Sequence, residues 1–283
     1  MGYFVKSLDL FSCIGCHAIG FERAGIETVA FCESRRERRA EIMNRFPEAC
    51  IYEDVRDMRG ISLSADIVIG GPPCQRTSVA AAIHGYRSGE SLWPYMLHVG
   101  LLSRAEWFVV EQPPGNPVWE AEVSLSLSGA GRHVARFEFG ACDVGAPYIR
   151  RRMFLVACTS LPRLEIARKS LARAIDETKR AANARGDWDP DQLAAIPVDA
   201  RSAGEFDQGA ASRARRDRIE ALGDSNPPHM AEVIGRAIMF AVSEKTRAEP
   251  GISREKPGHS LESAASAPLP SRPIIHDNQH PGE

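Results

Sequence analysis

Short apolar runs alternate with helix-length amphipathic stretches along the first 160 residues. Residues 5–11, 28–32 and 65–69 read as strands, the last apolar on both faces, and 107–110 and 153–157 extend the set. Helical spacing over 35–46 and 90–103 lies between them. This β-α-β rhythm predicts a doubly wound α/β sheet, in which ligands sit beyond the carboxyl ends of the strands. The residues just after each strand are therefore where chemistry is to be sought.

Beyond residue 160 the strand rhythm fades. A basic helical stretch over 167–184 leads into a Gly/Asp-rich segment, and helical spacing returns over 230–242 behind a Gly-Asp-Ser-Asn-Pro-Pro turn. The expected organisation is a sheet domain over 1–159, a small inserted region over 160–214, a helix returning to the sheet over 215–242, and a disordered Pro/Ser-rich tail over 243–283.

Composition narrows the class. A chain of 283 residues that is 43% hydrophobic and 25% charged can bury a sizeable core, which excludes global disorder. No run approaches a membrane span and no secretory signal opens the sequence, so a cytoplasmic protein is expected. Seven scattered cysteines read as reduced thiols, with Cys32, Cys50, Cys142 and Cys158 buried and inert. Cys13 and Cys16 form a lone C-x-x-C with no second ligand pair, so they are read as small residues in a tight turn and no metal is expected. Net charge is −2, but residues 145–218 hold fifteen Lys and Arg against ten Asp and Glu, a modest hint of a nucleic-acid partner.

Candidate chemistry gathers behind the strands. After the first comes Asp9-Leu10-Phe11-Ser12-Cys13-Ile14-Gly15-Cys16, a glycine-bearing turn into a helix that would let a ligand approach the backbone. Glu33 closes the second strand, where a carboxylate can bind ribose hydroxyls, and Asp54 falls at the next connection, placed to accept from an adenine amino group. The sharpest feature is Gly70-Gly71-Pro72-Pro73-Cys74-Gln75, a rigid non-helical loop that presents one thiol at the sheet rim. His17, His84 and His133 have no recognisable partners and are read as structural.

These motifs, with Glu111 closing strand 107–110, Arg150-Arg151-Arg152 before strand 153–157, and Gly223-x-Ser225 with Pro227 before the last helix, occur in one order over residues 3–242. The set resembles the C5-cytosine DNA methyltransferases. The resemblance implies a Rossmann-like S-adenosylmethionine-dependent domain over 1–159, a target-recognition region over 160–214, and a flipped cytosine in double-stranded DNA as substrate. It makes Cys74 the nucleophile that adds to C6 of cytosine, and Glu111 the acid that relieves the resulting charge. Arg150 and Arg152, two apart on an extended segment, would share one face and hold the base O2, with Arg151 pointing the other way. Asp9, Phe11, Ser12, Gly15, Glu33, Asp54, Pro73, Asp224 and Ser225 are the cofactor-binding candidates. Gln75, Arg76, Ser78, Arg168 and Lys169 are the DNA-binding ones. Residues 76–90 would form a mobile loop over the flipped base. Arg163, Arg173, Lys179, Arg180 and Arg185 would contact phosphates or form an exposed helix face. A monomer is expected.

Departures from the family pattern are informative. Cys13 and Cys16 stand where glycines are usual, Gln112-Pro113 replaces Asn-Val and loses the asparagine that braces the cysteine loop, Tyr148 replaces glutamine, and Asp224 replaces asparagine. Asp224 would place negative charge near the amino-acid end of the donor, which raises a donor of altered charge as an alternative. An RNA cytosine-5 methyltransferase and a catalytically silent nucleic-acid binder are the other two.

Overall fold

A computed structural model describes residues 4–60, 63–73, 91–189 and 224–248. Strands β1 (Val5–Leu10), β2 (Ile26–Cys32), β3 (Cys50–Tyr52), β4 (Ile67–Gly70), β5 (Trp107–Gln112), β6 (His133–Gly140) and β7 (Arg151–Cys158) form one sheet in the order β3-β2-β1-β4-β5-β7-β6. Every pairing is parallel except those of β7, which runs antiparallel to both β5 and β6. The order reverses direction between β1 and β4, and such a switch opens a crevice at the carboxyl edge of the sheet. The expected α/β architecture is the one observed.

Helices α1 (Cys16–Arg23), α2 (Arg36–Arg45), α3 (Trp93–Leu102), α4 (Pro117–Gly129), α5 (Leu161–Lys169), α6 (Leu171–Arg185) and α7 (Pro228–Ala248) cover the sheet. Val5, Ile67, Trp107, Val109, Phe154 and Val156 pack on one side against Phe21 of α1, Leu164 and Ala167 of α5, Ala174 of α6, and Met230 and Ile234 of α7. Leu8, Leu10, Val68, Phe108, Val110 and Leu155 pack on the other against Trp93 and Met96 of α3 and Trp119 and Val123 of α4. Helices α1 and α7 cross at glycines. A Cβ on Gly20 would lie 2.1 Å from the Pro228 carbonyl, so only glycine lets α7 start this close to α1.

The structure departs from the sequence reading in several places. The helix expected over 167–184 is two, α5 and α6, meeting at Ser170, and both pack into the core beside α7. Helix α7 runs on to Ala248, into the stretch expected as tail. Cys50 and Cys142 are exposed, not buried, because one opens the edge strand β3 and the other lies in the short 3₁₀ turn Ala141–Val144 that follows β6. Among the described residues no helix is long and apolar enough to cross a membrane. The tail over 249–283 and the loop over 76–90 lie outside the described residues.

Candidate active site

The turn after β1 is built on left-handed backbone. Phe11, Cys13 and Gly15 have φ of 58°, 52° and 79°. Such values are easy for glycine and costly for a residue with a Cβ, so Cys13 sits where a glycine would be relaxed. Neighbours hold the turn in place. Ser12 donates its backbone N–H to the Cys32 carbonyl (3.0 Å) and its hydroxyl to the Asp9 carbonyl (2.6 Å). Glu33, only 6% exposed, accepts from the Cys13 amide on one oxygen and from the Arg35 amide on the other, each at 2.8 Å. Its bonds in the structure therefore brace the turn. Burial pushes the Cys13 thiol up to about 12 and the Cys16 thiol to about 11, so both stay protonated at neutral pH.

Two acidic groups stand behind this turn on one face of the sheet. Asp9 is fully buried near the end of β1 and pairs through Oδ1 with Nδ1 of His17 at 3.2 Å, its Oδ2 having no partner among the described residues. Burial works against the His17 cation, but the Asp9 charge and hydrogen bond outweigh it and raise the pKa above its ordinary value. Glu111, 7% exposed near the end of β5, forms an ion pair with Nε of Arg152 at 2.9 Å. Between the two, β4 ends in Gly70 and Gly71. A Cβ on Gly70 would lie 2.4 Å from the Leu10 carbonyl and one on Gly71 2.9 Å from Glu111 Oε2, so the glycine pair is what allows this approach. The asparagine missing after Glu111 is made good by a longer side chain: Gln112 donates Nε2 to the Pro72 carbonyl at 2.5 Å, two residues before Cys74.

The third wall is the turn at 224–226. Arg150 lies one residue outside β7 with φ of 31°, so strand alternation does not apply to it. Its guanidinium reaches the Ser225 carbonyl and the Asn226 Oδ1, while Arg152 goes to Glu111. The expected pair on a single face is thus divided, one arginine on the acid and one on this turn. Arg151 points the other way, to Glu138 at 3.1 Å. Asp224 is engaged by Arg38 at 2.7 Å, which offsets its charge, and the Ser225 hydroxyl lies against the Cys16 thiol. Phe11, Cys13, His17, Glu111, Ser225 and Asn226 line the resulting cleft.

Other candidates lie apart from it. Asp54 is held by Arg56, whose side-chain hydrogen bonds lower its pKa. Arg168 pairs with Glu165 at 2.7 Å on an exposed helix face, and Lys169 beside it is exposed. Arg163 pairs with Glu106 and stacks over Trp107, Arg173 pairs with Glu177 and lies over Phe240, and Arg185 reaches Asp187 and Glu232. Lys179 and Arg180 are exposed. Cys74, Gln75, Arg76 and Ser78 lie outside the described residues, and Pro73 is exposed at the last described position before them. Tyr148 is partly exposed and meets the Trp188 ring edge-on. Trp188 also packs against His229 at the start of α7 and donates to the Val144 carbonyl. The chain thus leaves for 190–223 and returns at this same edge. His17, Arg38, Gln112 and Asn226 are site residues that motif reading missed. The sequence showed Gln112 only as a departure from the pattern, and the only sequence signal for Asn226 was its place in the turn that holds another, Asp224.

Residues 5–115 match the family described as C-5 cytosine-specific DNA methylase. Type II methyltransferase M2.BsuMI of Bacillus subtilis strain 168 is 32% identical over 163 residues, covering 54% of this chain and 42% of the relative. Type II methyltransferase M.AplI of Arthrospira platensis is 26% identical over 154 residues, covering 53% and 44%. The chain spans less than half the length of these two curated relatives. Among solved structures, a DNA modification methyltransferase encoded within an E. coli prophage is similar with a TM-score of 0.45 at 23% identity, covering 54% of this chain and 46% of that one.

Proposed function

We propose that the protein, whose residues 5–115 match the C-5 cytosine-specific DNA methylase family, is a DNA (cytosine-5)-methyltransferase acting on a cytosine swung out of the duplex. One observation carries the reading. Glu111, buried and ion-paired with Arg152, stands beside the Gly70-Gly71-Pro72-Pro73 strand end that leads directly into Cys74. A surface carboxylate and a core thiol would need none of this.

The residues follow from the reaction. C5 of cytosine is too electron-poor to take a methyl group directly. The Cys74 thiolate adds to C6, a C6–S bond forms, and the ring becomes an enamine nucleophilic at C5. Glu111, bonded at N3 and the 4-amino group, gives its proton to N3 as the C6–S bond forms, so the charge of the addition ends on its carboxylate, which Arg152 holds in place. Gln112 fixes the Pro72 carbonyl and with it the approach to Cys74. After transfer a base removes H5, the C6–S electron pair returns to sulfur, the N3 proton returns to Glu111, and the aromatic ring is restored. Extruding the base costs roughly a few kcal/mol. Gln75, Arg76 and Ser78 contact the DNA around it.

S-adenosylmethionine, when bound, supplies the methyl group. The residues present fit it: the left-handed turn after β1 exposes backbone, the Gly70-Gly71 gap leaves room before Glu111, and Asn226, whose buried amide nitrogen has no partner among the described residues, lines the cleft. Phe11, Ser12, Gly15, Pro73 and Ser225 would hold it. The Arg38–Asp224 ion pair offsets the charge of Asp224, which supports the ordinary donor over one of altered charge. The protein acts as a cytoplasmic monomer.

Trapping tests the reading. DNA carrying 5-fluorocytosine should leave a covalent adduct on Cys74 in the presence of the donor, and nucleoside mass spectrometry of ordinary DNA should show 5-methylcytosine. Cys74→Ser should lose both while melting unchanged. Methylation of tRNA alone would move the substrate to RNA, and no modified base from either would leave only a nucleic-acid binder.

A further inference from the structure

The loop that feeds β7 carries two apolar side chains that the fold does not bury. Tyr148 is 45% exposed and Ile149 is 68% exposed. Scattered exposed apolar residues are ordinary, and what sets this pair apart is its position and its backbone. Met153 of β7 pairs with Gln112 and Phe154 with Glu111, so the loop stands at the carboxyl edge of β5, on the rim of the cleft. The next residue, Arg150, reaches the turn that walls the cleft.

The main chain of the loop is fixed. Ala141 donates its amide to the Arg150 carbonyl at 3.3 Å, and Ala146 donates to the Ala141 carbonyl at 3.1 Å. A Cβ on Gly140 would lie 2.6 Å from the Ile149 carbonyl, so the backbone of Ile149 rests on the end of β6 where only glycine leaves room. Arg150 then takes a φ of 31°, a costly value for a residue with a Cβ. Tyr148 is braced from the side. Its ring meets Trp188 edge-on at 6.2 Å, and Trp188 is anchored to the Val144 carbonyl and against His229. A tied and strained backbone thus holds two apolar side chains out to solvent beside Glu111.

A duplex that presents an extruded cytosine to Glu111 crosses this edge, and its stack has an opening where that cytosine was. The base faces that border the opening are apolar, and proteins that unstack DNA place apolar side chains, isoleucine among them, in such openings. Ile149 is branched at Cβ and has few rotamers to lose on contact.

We propose that Ile149, widened by Tyr148 beside it, is an apolar DNA contact that packs against the base faces uncovered when the cytosine leaves the stack. The inference rests on the methyltransferase reading and adds a DNA-contacting residue to it. Ile149 is not among the residues to which the family resemblance assigns a role.

The target sequence is first read by bisulfite sequencing of DNA methylated by the wild-type protein. Affinities are then measured by fluorescence anisotropy, with S-adenosylhomocysteine present, for three duplexes: the target, the target with its cytosine replaced by an abasic nucleotide, and an unrelated sequence. Ile149→Ser should weaken the first two by about tenfold, because both complexes contain the opening, and leave the unrelated duplex unchanged. Ile149 is exposed, so this variant should melt as the wild type does. Ile149→Leu keeps an apolar contact and should retain most of the affinity. The sequence methylated by the serine variant should be the wild-type one, since every base offers an apolar face. Equal losses on all three duplexes, a loss confined to the cytosine duplex, no loss, a relaxed target sequence, or a leucine variant no better than serine would each overturn the assignment and leave the methyltransferase reading intact. Wild-type protein that methylates no DNA would overturn both.

Discussion

The two faces of the central strands end differently. On the face covered by α3 and α4, Leu8, Leu10, Val68, Phe108 and Val110 are apolar, and Gln112 at the end of β5 carries an uncharged amide. On the face covered by α1 and α7, Val5, Ile67, Trp107 and Val109 give way to Asp9 and Glu111 at the carboxyl edge. The same strands therefore supply a closed core on one side and a polar cleft on the other. Buried charge is tolerated on the second face only because each carboxylate has a partner there, His17 for Asp9 and Arg152 for Glu111.

The comparison is broken most sharply at Glu111. Glu111→Gln keeps the shape and an acceptor for Arg152 but removes the acid, and turnover should fall by about 100- to 10,000-fold with the melting temperature little changed. A stability loss in step with the activity loss would make Glu111 a structural residue. Phe108→Ala, on the opposite face, should do the reverse. A fully buried ring lost from a packed core costs about 3–5 kcal/mol, read from urea unfolding, while the affinity of the molecules that remain folded for S-adenosylhomocysteine should hold. If both variants moved both quantities, the two faces would not be separable.

How far the sequence foretold this division depends on the local physics of each element. The strands with buried apolar runs, β1, β2, β4, β5 and β7, were legible because their hydrophobic residues cluster. Edge strands β3 and β6 were not. The first is only three residues long, and in the second Arg136 and Glu138 are surface charges that pair with Glu120 and Arg151. Helix α4 carries four serines or glycines among its thirteen residues and has a weak apolar stripe. Within the candidate site, the place of Glu111 at a strand end could be read from pattern. The parting of Arg150 from Arg152 could not, because it follows from a positive φ one residue before the strand begins. Gln112 was read as the loss of a brace, whereas in the fold the longer amide reaches Pro72.

The partnered carboxylate at Asp9 gives a prediction in pH. Asp9 and, more weakly, Glu111 raise the pKa of His17 in the folded protein above its ordinary value near 6.5. A raised native value means that the stabilisation is fully present below the unfolded value and is lost as pH rises through the native one. Asp9→Asn removes the main cause. The stability difference between wild type and Asp9→Asn, from urea unfolding at pH 6, 7, 8 and 9, should therefore shrink as pH rises. A difference that stays constant over that range would show that the pair contributes only a neutral hydrogen bond.

The smallest effect is expected where the cleft face carries its strain. Cys13 holds φ of 52°, and a left-handed residue with a Cβ costs about 1–2 kcal/mol. Cys13→Gly relieves that cost but gives the unfolded chain more freedom, which takes back about 0.5–1 kcal/mol, and it removes a thiol that is 7% exposed. The net should be a stabilisation below about 1 kcal/mol, seen as a higher urea midpoint with an unchanged slope. The backbone contacts of the turn should survive, because Glu33 holds the amide of residue 13 and not its side chain. The sign is what discriminates. If glycine destabilises the protein, the packing of the Cys13 thiol outweighs the strain, and the turn after β1 is held by its buried sulfur as much as by the bonds from Glu33 and Ser12.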